Sequence, residues 1–214
     1  IKPEFQHAAL AALGIVNYLD VRRVARVRAR EIWISTNCGR LQHPGHIGAP
    51  WVIDFLRRSF TPTSHQTGNR VYISRADAQG RQVRNEGEVI AELEKHGFRT
   101  IVPGKLSFAD QVATLAGATH VVGPHGAGLT NAVFSPPGTA VLEISHPLYS
   151  TYSYAALAEA AGWRYAALTA RDGASDAPEW NDPHAAGLPG GRFGNRDLWV
   201  DIDLLRQWIK DYVS

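Results

Sequence analysis

The chain has 214 residues, of which 44% are hydrophobic and 20% charged, a composition typical of a globular protein with a sizeable core. Its formal net charge is only +2 and it carries no nucleic-acid recognition motif, so we expect no nucleic-acid partner. No apolar run is long enough to span a membrane and no stretch has the form of a signal peptide, so we expect no transmembrane segment.

The first 70 residues predict a helix and then strands. Residues Pro3 to Leu13 have helical periodicity that ends at Gly14, and Arg22 to Ser35 alternates apolar with basic residues. His43 and His46 are spaced like metal ligands, but the Pro-Gly pair between them prevents a helix, so we interpret them as loop histidines.

The first residue is Ile1 and the chain contains no methionine, so we expect a piece of a longer protein. Its single cysteine, Cys38, excludes an internal disulfide and suits a reducing compartment.

From residue 70 onward, predicted strands and helices alternate. The strands are short apolar runs at 70–74, 98–102, 119–122, 140–144 and 163–168. The helices have a period of 3.6 and cover 86–96, 108–116, a segment that begins at Gly128, 154–161 and 203–212. A loose Gly-, Pro- and Asp-rich stretch covers 171–195. This alternation predicts an α/β fold, a Rossmann-like parallel sheet flanked by helices that binds ligands at the carboxyl ends of its strands.

The segment 119–144, THVVGPHGAGLTNAVFSPPGTAVLEI, contains the most informative motif. Gly123 and Pro124 are predicted to break a strand that ends at Val122, and a glycine turn then leads into a helix. Free N–H groups and the positive end of the helix dipole point outward at such a turn, where phosphates bind. Asn131 stands where the dinucleotide fingerprint has its third glycine, so a tight turn without a ligand stays open.

Basic residues follow the first strand of this half. Arg75, Arg81, Arg84 and the pair Asn85-Glu86 come after 70–74, and the guanidinium groups of the arginines could close on a pyrophosphate from the side opposite the turn. The alternative is a solvated loop of arginines.

Two further residues are candidates. Glu143 lies on the strand after the turn, about where nucleotide-binding folds place the carboxylate that accepts ribose hydroxyls, and the alternative is a surface carboxylate at a strand end. His125 lies inside the turn, where an imidazole could donate to a phosphate or a sugar hydroxyl, and the alternative is a structural role.

Two other patterns are interpreted as helix caps. Ser107 and Asp110 have the spacing of a capping signal. Asp201 and Asp203 resemble a metal-binding D-x-D pair, but they directly precede a predicted helix, where an Asp cap is expected. We therefore expect no metal site.

Together these segments resemble glycosyltransferase family 61, a group of inverting transferases that includes bacterial capsular, plant xylan-decorating and animal O-linked N-acetylglucosaminyl enzymes. The resemblance rests on VYISR at 71–75, on Arg81, Val83 and Asn85-Glu86, on LSFADQVATLAGA at 106–118, and on VVGPHGAGLTNAVFSPPGTAVLEI at 121–144. It covers 71–168 strongly and 1–70 loosely.

The resemblance implies a GT-B fold of two Rossmann-like domains, of which this chain is the C-terminal half. Residues 1–69 would be a linker and a remnant of the N-terminal acceptor-side domain, and 70–214 the domain that binds the nucleotide sugar. Arg75 and the turn would hold the diphosphate, and Glu143 would face the nucleoside. The donor-binding residues implied are Arg75, Arg81, Asn85, Glu86, His125, Gly126, Ala127, Gly128, Leu129, Thr130, Asn131 and Glu143.

The resemblance also implies an enzyme that moves a sugar from a nucleotide donor, a UDP-sugar, to a glycan or lipid-linked glycan without a metal or cofactor. We expect a bacterial protein of capsular polysaccharide synthesis in the cytoplasm, and leave open a peripheral position at the inner face of the membrane and a homodimer. The catalytic base is unassigned, and His125 is the candidate catalytic residue. A non-catalytic nucleotide- or glycan-binding domain, or another nucleotide-sugar enzyme such as an epimerase, remains an alternative.

Overall fold

The computed structural model describes residues 3–15, 50–147, 152–173 and 196–213. The predicted strands at 22–35, the histidines His43 and His46, Cys38, and residues 174–195 of the predicted loose stretch lie outside these ranges. At the start of the chain, helix α1 (Pro3–Ala12) confirms the first predicted helix.

A parallel sheet of five strands forms the centre of the described fold. Its strands are β1 (Asn69–Ile73), β2 (Phe98–Ile101), β3 (Ala118–Pro124), β4 (Ala140–Ser145) and β5 (Arg164–Thr169). They lie in the order β2-β1-β3-β4-β5, and every neighbouring pair is parallel, which confirms the predicted α/β fold. This is the order of a flavodoxin-type doubly wound sheet, in which a ligand crevice opens between β1 and β3.

Helices cover both faces of the sheet. They are α2 (Pro50–Phe60), α3 (Glu86–Glu94), α4 (Phe108–Ala116), α5 (Ala127–Thr130), α6 (Ser153–Ala161) and α7 (Ile202–Tyr212), with 3-10 helices at Pro103–Lys105 and Asn131–Phe134. A small antiparallel ribbon pairs β6 (Arg171–Asp172) with β7 (Leu198–Trp199). The ribbon and α2 were not predicted, although a proline at the first position, as at Pro50, is a common helix start.

Both predicted helix caps are confirmed. The Ser107 hydroxyl accepts a hydrogen bond from the Asp110 N–H at 3.1 Å at the start of α4. The Asp201 carboxylate accepts from the N–H groups of Asp203 at 3.1 Å and Leu204 at 3.4 Å at the start of α7. Since a cap satisfies donors that the helix itself cannot, Asp201 has a structural function here.

The sheet divides the apolar core into two layers. Because side chains alternate along a strand, Val71 and Val121 face the layer that includes α2, α4 and α6, whereas Tyr72 and Val122 face the layer of α3 and α7. Buried residues line both layers, which explains why the strands read as continuous apolar runs rather than alternating ones.

Strand β3 is longer than predicted, so the prediction that Gly123 and Pro124 break it is wrong. Both residues pair in register with β4, Pro124 opposite Ile144, and the His125 N–H continues the pairing by donating to the Ile144 carbonyl at 2.8 Å. Pairing of β3 with β1 ends at Val122. Successive backbone N–H groups of a strand point to opposite sides. The N–H that Pro124 lacks would point toward β1, where pairing has already ended, so no hydrogen bond of the sheet is lost.

The C-terminal segment is fixed to the α3 side of the sheet by polar contacts. The buried Asn85 amide donates to the Val200 carbonyl and accepts from the Val200 N–H, both at 2.9 Å. On α3, Glu92 accepts from Arg206 of α7 at 3.0 Å and from Lys95 at 2.9 Å, and these hydrogen bonds lower the pKa of Glu92 to about 2. Helix α7 is therefore held by specific bonds as well as by apolar packing.

We expect Asn85→Ala to lower the free energy of unfolding by about 1–3 kcal/mol, because it leaves a buried donor and a buried acceptor of Val200 without partners. The neighbouring Arg84→Ala is the control, since its ion pair with Asp197 is 57% exposed on the arginine side and should contribute only about 0–1 kcal/mol. Urea denaturation of both variants measures the difference. Equal losses would contradict the structural role of Asn85.

Candidate functional site

The residues that follow β1 and β3 meet at the carboxyl edge of the sheet. Pairing places Tyr72 opposite Val122, so Arg75, after β1, and the His125–Gly126 turn, after β3, lie side by side. This is the position between β1 and β3 at which doubly wound sheets bind their ligands.

Two arginines concentrate positive charge in this crevice. The Arg75 guanidinium donates to the Gly80 carbonyl at 3.2 and 3.4 Å, and it occupies the space that a side chain on Gly126 would need. Burial lowers the pKa of Arg75, and the charge of Arg81 lowers it further, so the two guanidinium groups act on one another. Two positive charges that lie close together in a partly buried place repel one another, and a bound anion would offset this repulsion.

The loop that carries both arginines is tied to the rest of the fold at each end. The Asp77 carboxylate accepts from the Gly104 N–H at 2.9 Å. The Gln82 N–H donates to the Asp197 carboxylate at 2.9 Å, and the Gln82 carbonyl accepts from the Leu198 N–H at 2.8 Å. Arg81 itself adopts a left-handed backbone with φ of 58°. A left-handed backbone costs free energy at any residue other than glycine, so it persists only where the surrounding fold holds it. The fold therefore sets the direction in which the Arg81 side chain projects from the loop.

The glycine turn brings the backbone close to its neighbours. A side chain on Gly128 would approach Ile73 to 3.3 Å and Pro103 to 3.5 Å, and one on Gly126 would overlap Arg75. The helix predicted from Gly128 begins at Ala127 and lasts one turn before it continues as the 3-10 helix. The Leu129 N–H donates to the Gly126 carbonyl at 2.9 Å. The N–H groups of Ala127 and Gly128 lie in the first turn of the helix, where no acceptor within the helix is available to them.

Side chains further along the turn bond within the fold. Leu129 is fully buried in the α4 and α6 layer, and the Asn131 side-chain amide donates to Gln111 Oε1 at 2.7 Å. The Thr130 hydroxyl lies 3.0 Å from the Tyr154 hydroxyl, which donates to the Gly126 carbonyl at 2.6 Å. These residues shape the turn, and their predicted contact with a donor stays a prediction.

A buried hydrogen-bonded group lies directly behind the turn. His125 Nδ1 bonds to Glu143 Oε1, and the Tyr165 hydroxyl donates to Glu143 Oε2 at 2.5 Å. Glu143 is 2% exposed, so the alternative that it is a surface carboxylate is wrong. Since protein groups engage both of its oxygens, its predicted contact with a nucleoside stays a prediction. Burial raises the pKa of Tyr165, and the hydrogen bond to Glu143 raises it further.

Tyr154 links this group to the arginines. Its ring meets the His125 ring edge-on at a centroid distance of 5.2 Å, and it is buried at the start of α6. Burial raises the pKa of Tyr154, while the charges of Arg81 and Arg75 act in the opposite direction. Neither tyrosine is among the residues predicted for the site. Tyr165 reaches Glu143 because its strand, β5, pairs with β4.

Asn85 and Glu86 are not brought to this cluster by their side chains. The Asn85 amide is engaged by Val200, and Glu86 accepts from the Tyr72 hydroxyl at 3.0 Å. Tyr72 belongs to the layer of α3 and α7, on the face of the sheet opposite that of Val71 and Ile73. Their predicted part in donor binding therefore has no support from these contacts.

Comparison with known proteins identifies the family of the chain. The family model described as Glycosyltransferase 61 matches residues 4–142. The chain belongs to glycosyltransferase family 61. The match crosses the predicted boundary at 69/70 and includes β1, the arginine loop and the glycine turn, and it ends within β4.

A family 61 relative from Drosophila melanogaster is the EGF domain-specific O-linked N-acetylglucosamine transferase, which is 34% identical over 104 residues. The matched segment is 47% of this chain and 20% of that protein. The chain therefore spans only a small part of the length of this curated relative.

Two further properties bear on the site. In residues 3–15, 50–147, 152–173 and 196–213, no group of three or more His, Cys, Asp or Glu side chains is placed to hold a metal ion. Within the same ranges, every helix is too short or too polar to cross a bilayer.

We expect Tyr154→Phe to lower the free energy of unfolding by about 1–3 kcal/mol, because the Gly126 carbonyl and the Thr130 hydroxyl lose a buried partner. Tyr152→Phe, two residues earlier, is the matched control: its side chain is 86% exposed, and the same chemical change should cost less than about 0.5 kcal/mol. Chemical denaturation compares the two, and identical midpoints would show that the Tyr154 hydroxyl does not hold the turn.

Proposed function

We propose that this chain binds the nucleotide-sugar donor of an inverting glycosyltransferase. The observation that carries the proposal is the contact of Arg75 with the Gly126 turn, with the charge of Arg81 acting on Arg75, at the crevice between β1 and β3. Guanidinium groups and backbone N–H groups that converge at such a point bind a diphosphate by charge-assisted hydrogen bonds. Membership of family 61 supports a sugar nucleotide as the ligand that carries the diphosphate.

The proposed reaction is a single displacement. An acceptor hydroxyl oxygen attacks the anomeric carbon, the bond from that carbon to the diphosphate oxygen breaks, and its electron pair leaves with the nucleoside diphosphate. Negative charge grows on the leaving group, and fixed guanidinium and N–H donors stabilise it most strongly at that moment. The hydroxyl proton passes to a base on the acceptor side, and that base is unassigned.

The wider context is also part of the proposal. We place the chain in the C-terminal half of a GT-B enzyme, where a second domain would hold a glycan or lipid-linked glycan acceptor opposite the crevice. The parallel sheet with its crevice supports this placement. Synthesis of a bacterial surface or capsular polysaccharide in the cytoplasm, by a monomer or a homodimer, is the setting we propose for it.

Arg75→Ala should weaken binding of uridine diphosphate by about 1.5–3 kcal/mol, roughly 10- to 150-fold, because one charge-assisted contact is lost. Arg75→Lys should recover only part of this affinity, since an ammonium group cannot make a forked contact.

Arg84→Ala is the matched control for this titration, because Arg84 belongs to the same loop but pairs with Asp197 at 2.8 Å and should leave the affinity unchanged. Isothermal titration calorimetry measures all four proteins. Equal affinity of the wild type and Arg75→Ala would remove Arg75 from the site.

Uridine diphosphate should bind about equally well in EDTA and in magnesium, because arginines and backbone donors already face the phosphates. Calorimetry in the two buffers provides the test. Binding that disappears in EDTA would contradict the metal-free proposal, and Asp201→Ala and Asp203→Ala would then show whether that pair holds the ion.

A further inference from the structure

We infer that Glu143 is a positioning residue that fixes His125 as a hydrogen-bond donor to the departing diphosphate. The inference rests on the proposed function and adds a role for the buried pair behind the turn. It differs from the assignment of Glu143 to the nucleoside, because the contacts of Glu143 lead to an imidazole rather than outward.

The hydrogen bond between the two side chains determines the tautomer of His125. An ionised carboxylate only accepts, so the His125 Nδ1 that contacts Glu143 carries a hydrogen. The second oxygen of Glu143 accepts from Tyr165, which fixes the carboxylate from the far side. Such a partner on one ring nitrogen sets the proton and the direction of the other, Nε2.

The backbone and a neighbouring ring orient the imidazole further. The His125 N–H donates to the Ile144 carbonyl, and the Tyr154 ring packs edge-on against the imidazole. With Glu143 at Nδ1, two contacts from β4 and α6 restrict the imidazole, which is 10% exposed, and the bond to Ile144 fixes the backbone that carries it. A side chain held in this way donates at low entropic cost when a ligand arrives.

The position of His125 assigns it to the leaving group rather than to the acceptor. It directly precedes Gly126, whose backbone lies against the Arg75 guanidinium, so it belongs to the diphosphate side of the crevice. In an inverting displacement the acceptor attacks from the face opposite the leaving group. A base for the acceptor must therefore lie across the sugar from His125.

Donation from Nε2 requires the doubly protonated, cationic imidazole. The titratable groups packed around the pair are the Glu143 carboxylate and the Tyr154 and Tyr165 hydroxyls, and Arg75 and Arg81 lie close enough to act on Tyr154. A bound diphosphate adds negative charge beside them and favours the cation. Binding of the diphosphate and protonation of Nε2 should therefore occur together, and no covalent bond to His125 is formed.

The test is nitrogen NMR of the chain labelled with ¹⁵N-histidine, with His125→Gln used to assign the His125 signals. In the free wild type, the proton should lie on Nδ1. Addition of uridine diphosphate or of inorganic pyrophosphate should produce signals of a ring protonated on both nitrogens, whereas uridine should not.

Glu143→Leu removes the acceptor, so we expect the Nδ1 proton preference to disappear and uridine diphosphate to bind about 10-fold or more weakly. Glu92→Leu is the matched control. It makes the same chemical change at a carboxylate that accepts two hydrogen bonds on the α3 and α7 side of the sheet, away from His125, so the His125 signals should keep the wild-type pattern.

Three results would overturn the inference. A proton on Nε2 alone in the free wild type would contradict the positioning role, and apart from the assignment by His125→Gln this measurement uses only the wild-type chain. Binding of uridine diphosphate without a change at His125 would contradict the contact while the proposed function stands. If neither uridine diphosphate nor pyrophosphate binds the wild type, the proposed function fails and the contact fails with it, whatever tautomer is found.

Discussion

The approach of the Arg75 guanidinium to the backbone of Gly126 is the contact on which the candidate site depends. Parallel pairing of β1 with β3 brings the residues after the two strands together, and the missing side chain at Gly126 leaves room for the guanidinium. A larger residue there would displace Arg75 from the crevice. Strand register and one backbone position therefore decide whether positive charge and backbone donors can face the same ligand.

The two faces of the sheet have different functions in this chain. On the α3 and α7 face, Asn85 and Glu92 hold the C-terminal segment by buried or paired hydrogen bonds. On the opposite face, Tyr154 and Glu143 hold the turn and its histidine. Because these sets share no partners, substitutions in one should add to substitutions in the other, so stability and binding can be altered separately.

Much of the fold after residue 70 could be predicted because each element carries its own local signals. Helix α4 has a serine cap and an apolar stripe, and its bounds agree with the prediction. The end of β3 could not be predicted, since Pro124 is a strand breaker by local rules and stays in the strand only because β4 continues beside it. The two-residue strands β6 and β7 have no periodicity to recognise, and they exist through pairing between distant segments.

The candidate site was predictable to the extent that parallel strands end at one edge, which is why Arg75 and His125 could be expected together. The burial of Glu143 depends on Tyr165 of β5 and His125 of the turn, and the residues next to Glu143 in the sequence do not indicate that these two side chains contact it. Those neighbours also determine how the site can work. For the proposed donor site, the hydrogen bonds that join Tyr165, Glu143 and His125 hold the imidazole in one orientation, so little reorganisation would be needed when charge develops on a diphosphate. Fixed donors stabilise such charge better than water, which must reorient.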